Sequence, residues 1–177
     1  MCKERVLFID VDGVLNDLQF DKRNVGFFDV KKIKMLAKIV EATKARIVLS
    51  STWRYLKDCD EKKEPQAANM WKCLNNTFTK YGMQISDITP VIDGNRPKEI
   101  SEYLKTHENL SWCSIEDDFS AADYEKYGIS EYLVQTKYFV NKSADGGLKE
   151  EHIEKVMQIF KEQEKERGNE HAVIQES

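Results

Sequence analysis

Apolar runs and amphipathic stretches alternate along the chain. Val6, Leu7, Phe8 and Ile9 make an unbroken apolar run in "RVLFIDV", the pattern of a strand buried on both faces. "DVKKIKMLAKIVEATKA" sets Ile33, Leu36, Ile39 and Val40 at helical spacing, with Asp29 placed to cap the helix. "RIVLSS" reads as a second strand. "PQAANMWKCLNNTFTKYG" carries Met70, Trp71, Leu74 and Phe78 on one helical face, opening at Pro65 and closing near Gly82. "ISDITPVI" fits strand and loop equally. "RPKEISEYLKTH" is a helix with Pro97 in its first turn, "SWCSIEDD" a third strand and "EYLVQT" a fourth. "GLKEEHIEKVMQIF" is a last helix with Leu148, Ile153, Val156, Met157 and Phe160 turned inward. From Lys161 the charged, weakly patterned "KEQEKERGNEHAVIQES" reads as a flexible tail, which divides the chain into a domain over 1–160 and a tail over 161–177. Strands alternating with helices predict an α/β fold, a three-layer sandwich around a mostly parallel sheet.

In such a sheet, ligands bind beyond the C-terminal ends of the strands. The polar residues fall there. The first strand runs into Asp10 and Asp12, the second into Ser50, Ser51 and Thr52, and the third into Glu116, Asp117 and Asp118. Residues two apart in an extended segment point the same way, so Asp10 and Asp12 repel each other unless a cation joins them. Arg96 and Lys98 add a basic helix start. Oxygen-only ligands suit Mg2+, which takes one or two carboxylates, keeps several waters and binds a substrate phosphate. Hydroxyls and free backbone N–H groups at a strand-to-helix turn suit phosphate oxygens. An aspartate can attack phosphorus, and a second acid can pass the protons. A calcium loop is excluded, because its glycine would come later than Gly13 and its twelfth position, Asp21, is not Glu.

Composition narrows the picture further. A formal net charge of -4 over 177 residues gives no global pull toward nucleic acid, although a local basic groove stays open. Cys2, Cys59, Cys73 and Cys113 form no C-x-x-C pair, which fits reduced thiols in a cytoplasmic protein. No run approaches the ~20 apolar residues of a membrane span, and "RVLFID" is too short for a signal peptide.

The same residues carry a resemblance. "DVDGVL", Asp10 to Leu15, repeats the first motif of the haloacid dehalogenase-like (HAD) phosphohydrolases without a break, directly after an N-terminal apolar strand. Ser50 at the end of "RIVLSS" matches the second motif, Arg96 or Lys98 the third, and Asp117-Asp118 the fourth. More narrowly, "DVDGVLN", "VLSSTWR", "RPKEI", "EDD" and "GGL" resemble the HAD domains of bacterial and phage RNA-repair proteins, which are similar to the phosphatase half of polynucleotide kinase-phosphatases.

The resemblance implies a Rossmann-like sandwich with a minimal cap and a Mg2+-dependent phosphomonoesterase working through an aspartyl-phosphate. Asp10 would be nucleophile and Mg2+ ligand. Asp12 would be general acid/base, with its backbone carbonyl on the metal. Ser50 would hold the phosphate, Arg96 or Lys98 would stabilise the phospho-enzyme, and Asp117 and Asp118 would complete the metal site. Glu116 stands where the family usually has an apolar residue. Ser51 and Arg54 are expected at the substrate, Arg54 equally as a structural ion pair, while Trp53 reads most simply as packing under the loop. The short spans between motifs leave room for a flap and a small lid but no large cap. That favours 3'-phosphate ends of nucleic acid over a small phosphomonoester or nucleotide, with a partner kinase or ligase compatible. A non-catalytic binding module is the alternative from another class, and the intact Asp10/Asp12 pair speaks against it. His107, His152 and His171 are not expected to be catalytic, and Asn141 and Lys142 are expected in an ordinary loop.

Overall fold

The computed structural model describes residues 4–16, 28–137 and 146–175, with side chains through residue 166. The flap expected after Asn16, and Asn141 and Lys142, lie outside the described residues. Five strands form one parallel sheet: β1 (Glu4–Ile9), β2 (Arg46–Leu49), β3 (Ile85–Ile88), β4 (Leu110–Glu116) and β5 (Leu133–Gln135), in the order β3-β2-β1-β4-β5. The two-way segment "ISDITPVI" thus supplies the edge strand β3. Its burial is only partial, which is why its apolar pattern was equivocal. Helices α1 (Val30–Thr43), α2 (Pro65–Lys80), α3 (Arg96–Thr106), α4 (Ala121–Glu125) and α5 (Glu150–Gln175) connect and cover the strands. None is long and apolar enough to cross a membrane.

Alternation along the strands sorts the core into two layers. Leu7, Ile9, Ile47 and Leu49 face one side. There they meet Ile33, Leu36 and Ile39 of α1, Leu74 and Phe78 of α2, and Val156 and Phe160 of α5. Val6, Phe8 and Val48 face the other side, against Ile100 and Tyr103 of α3 and Tyr124 of α4. Helix α2, which the spacing allowed as part of a lid, is therefore a sheet-covering helix. Asp29 caps α1 as expected, its carboxylate accepting from Lys31 N–H at 2.7 Å. Met157, expected inward on α5, is 39% exposed.

Helix α5 does not end where its apolar pattern thins. Beyond Phe160, Gln163 is buried and spans the backbone of Trp112, accepting from its N–H at 3.0 Å and donating to its carbonyl at 2.7 Å. Strand β5 is short and pairs with β4 only from Ser114 onward, so Gln163 replaces the missing strand for Trp112.

Helices α1 and α2 wind outward from β1 on one face, whereas α3 and α4 serve β4 and β5 on the other. The winding therefore reverses between β1 and β4, and the crevice at their C-terminal ends is where ligands bind in such sheets. The turn after β1 is clamped there. Thr136 Oγ1 donates to the Gly13 carbonyl at 2.9 Å, and Leu148 N–H donates to the Val14 carbonyl at 2.9 Å. Gly147 makes the second contact possible: its φ is +68°, and a Cβ would lie 2.7 Å from the Val14 carbonyl and 2.8 Å from the buried Lys32 side chain. Gly147→Ala is expected to cost at least about 2 kcal/mol and to lower the melting temperature by roughly 4 °C or more, measured by thermal denaturation. An unchanged melting temperature would mean that this clamp can shift freely.

Candidate active site

Register explains which acids meet. Phe8 pairs with Val48 on one side and Ser114 on the other, all facing the α3 and α4 layer. Two residues further on, the same face receives Asp10, Ser50 and Glu116. Asp10, Glu116 and Asp117 are all buried and offer carboxylate oxygens within 4.8 Å of one another. Glu116, the residue that breaks the expected motif, is thus a full member of the acidic cluster. Asp118, expected beside Asp117, is exposed and lies outside this trio, because the chain has left the strand by then. Glu116 shapes that exit by accepting from the backbone N–H groups of Asp117 and Asp118 at 3.2 and 3.1 Å.

The electrostatics follow from burial. Burial raises the Asp10 carboxyl to about 6, against the opposing pull of the Ser51 hydroxyl and the Arg96 guanidinium. Asp117 is pushed up to about 8 by burial and by Asp10. Glu116 is held well above the ordinary carboxylate range by burial and by Asp10, with Arg96 working the other way. Both oxygens of Asp117 are buried without a hydrogen-bond donor. Three such carboxylates cannot all be ionised together unless a cation joins them. An oxygen-only donor set with two orphaned oxygens fits a hard divalent cation such as Mg2+.

The two third-motif candidates differ in position. Arg96, at the first turn of α3, is buried, with Nη1 3.4 Å from Glu99 Oε2 and Nε 3.9 Å from Glu116 Oε2. Lys98 is 40% exposed in its side chain, and its Nζ stands 4.0 Å from Asp93. Of the two, Arg96 stands at the cluster. Arg54 sits behind it. Its guanidinium is 1% exposed, donates to Glu99 Oε1 at 2.7 Å and reaches the Ser51 carbonyl at 3.2 Å. That contact is the ion-pair alternative for Arg54. Glu99, missed in the sequence, is fully buried between two arginines and also accepts from Ile92 N–H at 2.9 Å. Its signal was the spacing of three from Arg96 on a helix.

The turn after β2 supplies the hydroxyls. Ser50 Oγ is buried without a hydrogen-bond partner, one strand over from Asp10 on the same face. Ser51 Oγ caps the short turn Thr52–Leu56, accepting from Trp53 N–H at 3.4 Å, and stands at the Asp10 carboxylate. Asp12 is half-buried, outside the carboxylate trio. Asp123 accepts from the Ser120 N–H and hydroxyl at 3.0 and 2.7 Å, which fixes the loop from Asp118 into α4. Tyr124 closes the floor, its hydroxyl 2.8 Å from Ser114 Oγ. His107 stacks on Tyr103 at 3.9 Å, and His152 Nδ1 accepts from Lys149 N–H, so neither ring belongs to the cluster.

Residues 6–153 match the family model of the HAD domain in Swiss Army Knife RNA repair proteins. The comparison with curated proteins finds no match.

Proposed function

The chain belongs to the HAD domains of Swiss Army Knife RNA repair proteins, and from that premise we propose a Mg2+-dependent phosphomonoesterase acting on 3'-phosphate ends of nucleic acid. Membership supports a HAD-type phosphohydrolase in general. The observation that carries the finer reading is the buried trio Asp10, Glu116 and Asp117, with Arg96 and the unpartnered Ser50 hydroxyl beside it.

The Asp10 carboxylate attacks phosphorus while the ester P–O bond breaks, and Asp12 gives its proton to the departing oxygen. In the second half Asp12 takes a proton from water as that water attacks phosphorus. The acyl-phosphate bond breaks, phosphate leaves, and the Asp10 carboxylate is restored. Ser50 donates to a phosphate oxygen, and Arg96 stabilises the charge on the transferring group. Asp10, Asp117 and Glu116 would hold Mg2+, with the Asp12 carbonyl as a further ligand. When bound, the ion neutralises the carboxylates and the phosphate, so that an anion can approach an anionic nucleophile.

The RNA-repair family and the short spans between the motifs support a polymer end as substrate. With Arg54 engaged by Glu99, contact with the incoming chain falls to Lys98 and its surroundings. Tyr55, 49% exposed, presents a ring for base stacking next to Arg54, whose Cζ lies 5.1 Å from the ring centroid. The test is a panel of 3'- and 5'-phosphorylated oligonucleotides, nucleotides and sugar phosphates. The 3'-phosphorylated oligonucleotide should be hydrolysed fastest, and its rate should fall steeply with salt while that of an aryl phosphate changes little. Preference for a nucleotide or sugar phosphate in direct competition would move the assignment to a small-molecule phosphatase.

A further inference from the structure

Trp53 reads in the sequence as a packing residue, and its ring does pack, 5.2 Å from Phe28 between centroids. Packing does not explain where its indole N–H goes. It donates to Asp12 Oδ2 at 3.0 Å, a distance that joins two residues 41 positions apart. On the other side Asn16 Nδ2 donates to Asp12 Oδ1 at 2.8 Å. Each oxygen of the Asp12 carboxylate thus carries one fixed donor. A carboxylate oxygen has room for two, so among the described residues each keeps a lone pair for proton traffic.

Asp10 and Asp12 carry the same side chain two residues apart, yet only Asp10 joins the carboxylate trio. The two donors account for the difference, because they anchor the Asp12 carboxylate toward Trp53 and Asn16. The anchor is itself held in place. Ser51 Oγ accepts from Trp53 N–H, so the turn that brings Ser51 to Asp10 also brings the indole to Asp12. A buried indole needs an acceptor, but a backbone carbonyl would serve it as well. Here it takes the side chain assigned to proton transfer.

We propose that Trp53, together with Asn16, is a positioning residue that orients the Asp12 carboxylate for proton transfer and keeps it out of the cation's ligand set. This rests on the phosphatase reading. The test is a double-mutant cycle on the full chain with Mg2+: wild type, Trp53→Phe, Asp12→Ala and the double variant, each assayed on an aryl and an alkyl phosphate monoester. Phe keeps an aromatic ring against Phe28 and removes the donor together with part of the buried ring volume, which Asn16→Ala leaves untouched. Trp53→Phe should lower kcat by about 10- to 100-fold, the range for losing a hydrogen bond to a charged group. KM and the Mg2+ requirement should change little, and the alkyl ester, with its poorer leaving group, should lose more. In the Asp12→Ala background the same substitution should change the rate by less than about twofold, because the two residues act as one unit. Asn16→Ala run through the same cycle should behave alike, and it decides the matter if Trp53→Phe does not fold. Losses that multiply independently overturn the positioning role while leaving an active phosphatase. A wild-type chain that hydrolyses neither ester overturns the phosphatase reading and this role with it.

Discussion

Asp10→Asn is expected to abolish turnover while leaving the fold intact. The substitution keeps the size and planarity of the side chain but replaces the attacking carboxylate with an amide that cannot form a stable link to phosphorus. The fold should survive for a physical reason. In the cation-free protein Asp10 is an acid raised to about 6 by burial, and its charge in turn pushes Glu116 and Asp117 up, so a neutral amide relieves crowding. Asp10→Asn should therefore melt no lower than wild type in the absence of Mg2+, and higher where the carboxyl would be ionised. Activity on an aryl phosphate together with the melting temperature checks both halves. Turnover near that of wild type would remove Asp10 from the nucleophile's role.

Removing Mg2+ is expected to have the next largest effect: chelation should stop turnover without unfolding the sheet, whose two apolar layers do not depend on the acidic crevice. The geometry separates two neighbours that the sequence leaves equivalent. Asp117→Asn takes a buried oxygen from the trio and should weaken Mg2+ activation at least about 100-fold, more than the loss typical of outer-shell partners. Asp118→Asn changes an exposed side chain and should have far less effect. Equal losses at both positions would place the cation elsewhere.

The pH dependence has a definite sign. Asp10 and Asp117 have pKa values raised above the ordinary 3.8, to about 6 and about 8. Without a cation their contribution to stability is therefore full below the ordinary value and is lost as pH rises through the raised ones. The Mg2+-induced rise in melting temperature should be larger at about pH 8.5 than at about pH 6, because the ion replaces the protons. A rise independent of pH would show that the bound ion does not engage these carboxyls.

Much of this protein was legible before folding, because local patterns carry the information. The apolar run Val6–Ile9 places β1 by itself, and the periodicity of Ile33, Leu36 and Ile39 places α1. Asp10, Ser50, Arg96 and Asp117 could be singled out because strand ends and a helix start are local features, and parallel strands deliver their C-terminal ends to one edge. What the sequence alone could not decide is which of several similar side chains meet. That depends on register and on helices from distant parts of the chain. Glu116 joins the cluster because the pairing of Phe8 with Ser114 puts it on the Asp10 face, and Asp118 falls outside because the strand has ended. Arg96 rather than Lys98 reaches the acids because the first turn of α3 points the earlier residue into the crevice. Arg54 and Glu99, 45 residues apart, find each other only in the fold, where two buried charges are tolerable as a pair and costly alone. The use of the Trp53 indole was equally hidden. A tryptophan's ring can be assigned to a core by its neighbours in sequence, but the acceptor of its single N–H is set by whatever tertiary packing brings within 3.0 Å, and here that is Asp12.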